Sequence, residues 1–273
     1  LFTRNKMFNN VYLKNLKDMR NNLIYWFAGL ITLSFYLSFA YNSFEQNIGA
    51  FDELINSFPE ELLHFLGAAG SLDMSTFAGF LNLEVFGVMG PIMLVIIGIN
   101  TGTNIVAGEL NNKTLELVMG TSIGKNNYLF QQILVMITRI VLISLFIWVS
   151  FTSFGRIFDL ELDLINFAST IVHLSLLGLF FGCLSLFIGS FTGNKSKTLG
   201  ISATIAILSH FINSISPLIN SIEKFKYISI FHYYKTSEPI INGINISDVF
   251  ITSSLCIILI ALSFFSYKYL DIN

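Results

Sequence analysis

The segment Ala107-Gly108-Glu109-Leu110-Asn111-Asn112-Lys113-Thr114-Leu115-Glu116-Leu117-Val118-Met119-Gly120-Thr121 decides how the rest of the chain reads. It is short and of mixed polarity, and strongly apolar runs flank it on both sides. Leu115, Val118 and Met119 recur at i, i+3 and i+4, while Lys113, Thr114 and Glu116 face elsewhere. The pattern predicts a short amphipathic helix between two membrane spans. Such a helix either lies on the lipid surface as an ordinary loop helix or docks in a groove on a soluble partner.

The flanking runs belong to a chain of 273 residues that is 53% hydrophobic and only 12% charged, with 28 Phe. Its mean hydropathy is +0.69. Soluble chains carry about 25% charged residues, and a water-soluble domain could not hide this much apolar surface. The expectation is an all-α integral membrane protein with six transmembrane helices, spanning about 25–43, 84–106, 128–153, 166–191, 198–218 and 248–267. Each run is near the ~20 residues that a bilayer core requires. The first is long enough to be a permanent span rather than a cleaved leader. Cys183 and Cys256 lie in apolar runs and read as small packing residues.

Residues 1–24 are basic and predict a cytoplasmic interfacial helix. Val11, Tyr12, Asn15 and Met19 fall near one face, and lysines such as Lys14 and Lys17 would reach headgroups. The adjoining span argues against nucleic acid as the partner of these charges. Residues 44–83 contain no Lys or Arg and predict short surface helices. Glu60, Glu61 and His64 there invite a metal site, but no further ligands lie nearby in sequence. Residues 219–247, aromatic and amphipathic, predict a re-entrant or interfacial element on the same side.

Within the spans, Asn100, Thr101 and Asn104 crowd the far end of the second, and Gly87, Gly90 and Pro91 allow it to kink. Ser202, Ala206, Ser209, Asn213 and Ser216 form a polar stripe along the fifth. Polar groups at bilayer depth face protein or a watery cavity, so each stripe is either an interhelix seam or a conduit wall. Ser175, Gly178, Gly182, Ser185 and Gly189 form a small-residue stripe that reads as a packing seam. Arg139, inside the third span, must pair with a carboxylate or lie in a cavity.

Glu109 followed by Thr114-Leu115-Glu116 resembles the A-x-E-x-x-x-x-T-L-E signature of bacterial ABC transporter type 2 permeases. The Ser216-Pro217 region, the Pro239…Gly243 spacing and the closing Tyr267-Lys268…Asp271 resemble that family's C-terminal pattern, so the likeness covers essentially the whole chain. The family often has a proline shortly after the signature, where this chain has Ser122-Ile123. The resemblance implies a permease subunit of an ABC exporter in a bacterial cell membrane. It implies that 107–127 is a cytoplasmic coupling segment contacting a separate ABC ATPase, present in two copies, and that two permeases, here a homodimer, enclose the path. Coupling would fall to Glu109, Thr114, Leu115, Glu116 and Met119, with Lys17 and Arg20 as a second contact. Asn100, Thr101, Asn104, Ser209 and Asn213 are the candidate pathway residues.

Gly120-Thr121-Ser122-Ile123-Gly124-Lys125-Asn126 fails as a phosphate-binding loop on spacing and on the residue after the lysine. No cofactor is therefore expected in this chain; ATP and Mg would reside in the partner ATPase. With both termini inside, inner segments carry ten of the 15 Lys and Arg, and outer segments only Arg156, Lys224, Lys226 and Lys235. The positive-inside rule thus places the termini and the signature in the cytoplasm. The apolar, aromatic-rich bundle favours an amphipathic drug or peptide as cargo. The alternatives are an ATP-independent channel or scaffold, and a membrane-embedded enzyme. The enzyme is poorly served by four scattered histidines lacking carboxylate partners at ligand spacing.

Overall fold

A computed structural model describes residues 11–44, 76–113, 124–219, 222–235 and 238–270. Among the described residues all regular structure is helical. Helix α1 (Val11–Asp18) leads into α2 (Arg20–Phe44). Then come α3 (Phe77–Asn111), α4 (Lys125–Ile157), α5 (Leu164–Thr192) and α6 (Lys195–Ile215, continued by a tight turn to Leu218). Short helices α7 (Ile230–Lys235) and α8 (Pro239–Asn242) precede α9 (Ile246–Lys268). Among the described residues, six helices (α2, α3, α4, α5, α6 and α9) are long and apolar enough to cross a membrane. Helix is the form these runs must take, because lipid offers the backbone no hydrogen-bond partners.

The helices extend past the apolar runs that mark them. The 33 residues of α4 make a rod of about 50 Å, against a hydrocarbon core of about 30 Å. Its ends are polar, so hydropathy alone places the span boundary inside the helix. Side-chain caps set several true starts. Asp163 accepts from the N–H groups of Ile165 and Asn166 at the head of α5. Asn245, the first residue of an apparent glycosylation sequon, caps α9 by accepting from Ser247 and Asp248. Gly193, at φ +60°, ends α5 in a left-handed turn, and Asn194 immediately caps α6.

Helix α5 is the hub, with α3, α4, α6 and α9 packed around it. The α3–α5 contact is the most extensive in the molecule. A Cβ added at Gly98 would stand 2.2 Å from the Gly178 carbonyl, and one at Gly102 would stand 2.0 Å from that of Gly182. Two G-x-x-x-G faces therefore meet backbone to backbone. The small-residue stripe on α5 continues this seam to Gly189, which meets Ala107 of α3 as well as Thr198 of α6, while Ser175 lies toward α4. Helix α2 rides outside on α4 through stacked Phe27 and Phe146, 4.0 Å between centroids.

Helix α3 includes two wider π-helical stretches, Asn82–Met89 and Asn104–Gly108. In the first, the Phe86 carbonyl would normally be served by the N–H five residues on, but that residue is Pro91. The Tyr234 hydroxyl of α7 donates to it instead, at 2.8 Å. This buried contact ties the segment between α6 and α9 into the bundle. The Tyr12 and Asn15 face of the basic helix α1 is turned onto α4, leaving Lys14 and Lys17 exposed on the other side.

Candidate functional site

Three span ends converge where the signature segment begins. Helix α3 finishes with Glu109–Asn111, and Lys113 beyond it takes a left-handed backbone at φ 57°. Half-buried Glu109 lies close enough to Tyr128, at the head of α4, and Tyr267, at the foot of α9, for its charge to act on both phenols. Both tyrosines are fully buried. Leu110 and Leu270 both approach Gly193 in the α5–α6 turn, so that turn belongs to the same end of the molecule.

A hydrogen-bond chain connects this cluster to α1. The Asn15 amide donates to Gln132 Oε1 at 2.8 Å, and Gln132 Nε2 donates to the Tyr128 hydroxyl at 2.8 Å. Beside it the Tyr12 N–H donates to Gln131, and the Tyr12 and Thr138 hydroxyls lie 3.1 Å apart. A displacement of the α3 terminus therefore meets α4, α9 and, through two amides, α1. Gln132, Tyr128 and Tyr267 were not among the residues expected at this site. The available signal was the pair Gln131-Gln132 at the head of an apolar run, opposite an asparagine on the apolar face of α1. Of the expected coupling residues, Glu109 is at the cluster, and Lys17 and Arg20 are exposed at the junction of α1 and α2. Thr114, Leu115, Glu116 and Met119 lie outside the described residues, as do Glu60, Glu61 and His64.

The candidate pathway residues separate into two groups. Asn100 and Asn104 are exposed on α3 and paired, Asn104 donating to Asn100 at 2.6 Å. Thr101 is buried and donates to the Ile97 carbonyl. Ser209 is buried on α6, where it forms a joint with the chain entering α7. The Ser229 hydroxyl donates to the Ser209 carbonyl at 2.6 Å, and Ser209 Oγ accepts from the Ile230 N–H at 3.2 Å. Asn213, half-buried, lies one turn further along. Helices α3 and α6 are antiparallel neighbours, so Asn104 lies near the α6 start, whereas Ser209 is about 20 Å along α6 from Lys195. The exposed amides and the Ser209–Asn213 pair thus occupy different depths.

Among the described residues, no three His, Cys, Asp or Glu side chains are placed to hold a metal. Cys183 and Cys256 are buried free thiols facing one another between α5 and α9. His173 is held between backbone groups: its Nδ1 lies 3.1 Å from the Tyr233 carbonyl, and its Nε2 accepts from the Asn245 N–H at 3.4 Å.

The family model described as ABC-2 family transporter protein matches residues 9–272. No curated protein and no solved structure matches the chain.

Proposed function

Because the chain belongs to the ABC-2 family of transporter proteins, we propose that it is the permease subunit of an ATP-driven exporter. A separate ABC ATPase, in two copies, would engage the segment after Asn111, and a second copy of this chain would complete the translocation path. The cargo would be an amphipathic drug or peptide leaving the cell. The observation that carries the coupling part is the convergence at Glu109. Whatever presses on the segment after Asn111 moves the end of a helix that is continuous to Phe77 and locked to α5 by direct backbone contact. A rigid lever joined to a packed bundle is what conversion of ATPase closure into bundle motion requires. The exposed Asn100–Asn104 pair supports a polar path along α3, since two amides facing lipid would be costly.

The test is co-purification with the candidate ATPase, followed by ATP hydrolysis with and without this chain and a panel of amphipathic compounds. A stable complex with compound-stimulated hydrolysis is expected. Glu116→Arg should abolish the stimulation while leaving membrane insertion intact. Absence of a complex with any candidate ATPase would overturn the coupling reading in favour of an ATP-independent channel or scaffold.

A further inference from the structure

Three of the chain's four histidines lie within the described residues, and all three gather at α7. His232 is part of α7. The His210 ring of α6 stands edge-on to Phe231 of α7, 5.1 Å between centroids, and His173 of α5 meets the Tyr233 carbonyl. Together α7 and α8 make the segment that crosses from α6 to α9. Asn166, at the head of α5, donates to the Ile241 carbonyl of that segment at 2.9 Å, which places it at the end of the bundle opposite the chain termini.

His173 clasps the segment at two points. Its Nδ1 lies 3.1 Å from the Tyr233 carbonyl, and its Nε2 lies 3.4 Å from the Asn245 N–H. A carbonyl can only accept and an amide N–H can only donate, so Nδ1 carries the ring proton and Nε2 is bare. The residue is 3% exposed. A second proton, on Nε2, would set N–H against N–H and leave a charge in a buried site. Other contacts that hold the segment join groups that stay neutral between about pH 5 and 8: Tyr234 to the Phe86 carbonyl, Ser229 to the Ser209 carbonyl, and Asn166 to Ile241. Among the described residues, Asp248 at the head of α9 is the charge that acts on His173. Asp248 and Lys226 act on His232, and Lys235 acts on His210. Asp248 favours a proton on the rings it reaches, and the two lysines oppose one.

We propose that His173 is an acid-sensitive latch: when neutral it holds both ends of the α7–α8 segment to α5, and when protonated it lets go of Asn245 and frees the segment. The proton and the Asn245 N–H compete for the same lone pair on Nε2, so proton uptake favours release. The latch is therefore closed above the value at which a freed imidazole titrates, about 6.5, and opens progressively as pH falls below it. Release reaches the spans, because the same segment serves the Phe86 carbonyl in the π-helical stretch of α3 and the Ser209 carbonyl of α6. Acid on the side opposite the termini thus loosens α3 and α6 at that end. The latch does not depend on the transport reading.

Amide hydrogen exchange, corrected for its intrinsic pH dependence, reads the latch in the full-length chain in phospholipid nanodiscs. The reporters are the N–H groups of Ile230 and His232 in α7 and of Asn245. From about pH 7.5 to about pH 5, one competing proton should raise their opening about thirtyfold. The Phe158 and Leu160 amides, in the α4–α5 turn at the same end, should not respond. No rise at the reporters, or an equal rise at both places, would overturn the latch, and this comparison needs no substitution. His173→Gln keeps one donor and one acceptor but does not titrate, so it should remove most of the rise. A full rise in that variant would overturn the role of His173.

Discussion

Arg139 lies within α4 with its guanidinium donating to the Asn22 side-chain carbonyl on α2. Its Nε is buried without an acceptor among the described residues. Among the described residues the charge thus meets a neutral amide and no carboxylate. An ion held this way is expensive, so replacing it by an apolar side chain of similar length removes a cost as well as a contact. Arg139→Met is expected to be neutral or stabilising. Asn22→Leu, which strands the guanidinium, is expected to cost about 1.5–3 kcal/mol. Thermal unfolding of the two variants in the same detergent orders them, and the reverse order would mean that the ion is favourably placed. Lys235, in α7 outside the spans, carries a second cost. Burial pushes its amine down from 10.5 to about 8. The folded state therefore binds this proton less tightly than the unfolded chain does. The contribution is unfavourable below about pH 8 and fades as pH rises toward 10.5. Thermal stability should rise across that window, and Lys235→Met should flatten the rise.

At the scale of elements, the α3–α5 crossing sets the packing of the bundle. Gly98→Ala and Gly102→Ala each place a methyl against a carbonyl that cannot move without parting two helices. Overpacking of this kind costs about 1–3 kcal/mol or more. At Gly29 and Gly200 an added Cβ meets nothing within 4 Å, so alanine there serves as the control for helix propensity. Melting temperatures of the four variants should divide into two unstable and two near wild type. The crossing also shows what the sequence can carry. Gly178-x-x-x-Gly182 is visible as a seam because spacing alone puts both residues on one face. That Gly98 and Gly102 are the opposing face is a matter of which spans are neighbours, and hydropathy is silent on that. Ser209 is a parallel case: its periodicity marks it as facing inward, but the joint it makes depends on Ser229, twenty residues away. The six spans were legible because lipid demands long apolar helices. Their ends were not, because polar side chains at the membrane surface extend a helix beyond its apolar run. The Tyr128–Gln132–Asn15 chain was hidden for a similar reason, since each member alone is an ordinary polar residue at a helix end.

At the scale of the whole molecule, the segments richest in Lys and Arg gather at one end. Leu110 at the end of α3, the Gly193 turn between α5 and α6, and Leu270 after α9 meet directly, and α1 joins them through Gln132 and Tyr128. Asp163 and the α4–α5 turn lie at the far ends of the same helices. Even-numbered crossing and packing therefore agree on which segments share a side, and from the charge bias we propose that the shared side is the cytoplasm. Two exposed positions test this. Cys183 and Cys256 are buried within spans, so a membrane-impermeant maleimide should report introduced thiols alone. Glu161→Cys, in the α4–α5 turn, should label in intact cells. Lys197→Cys, at the head of α6, should label only after the membrane is opened. The opposite pattern would put the segment after Asn111 outside, beyond reach of any cytoplasmic ATPase, and the coupling proposal would fall with it. The expected pattern would place Glu109, the Tyr128–Tyr267 pair and the exposed cations Lys17 and Arg20 on the face where ATP is available, which is the condition the lever requires.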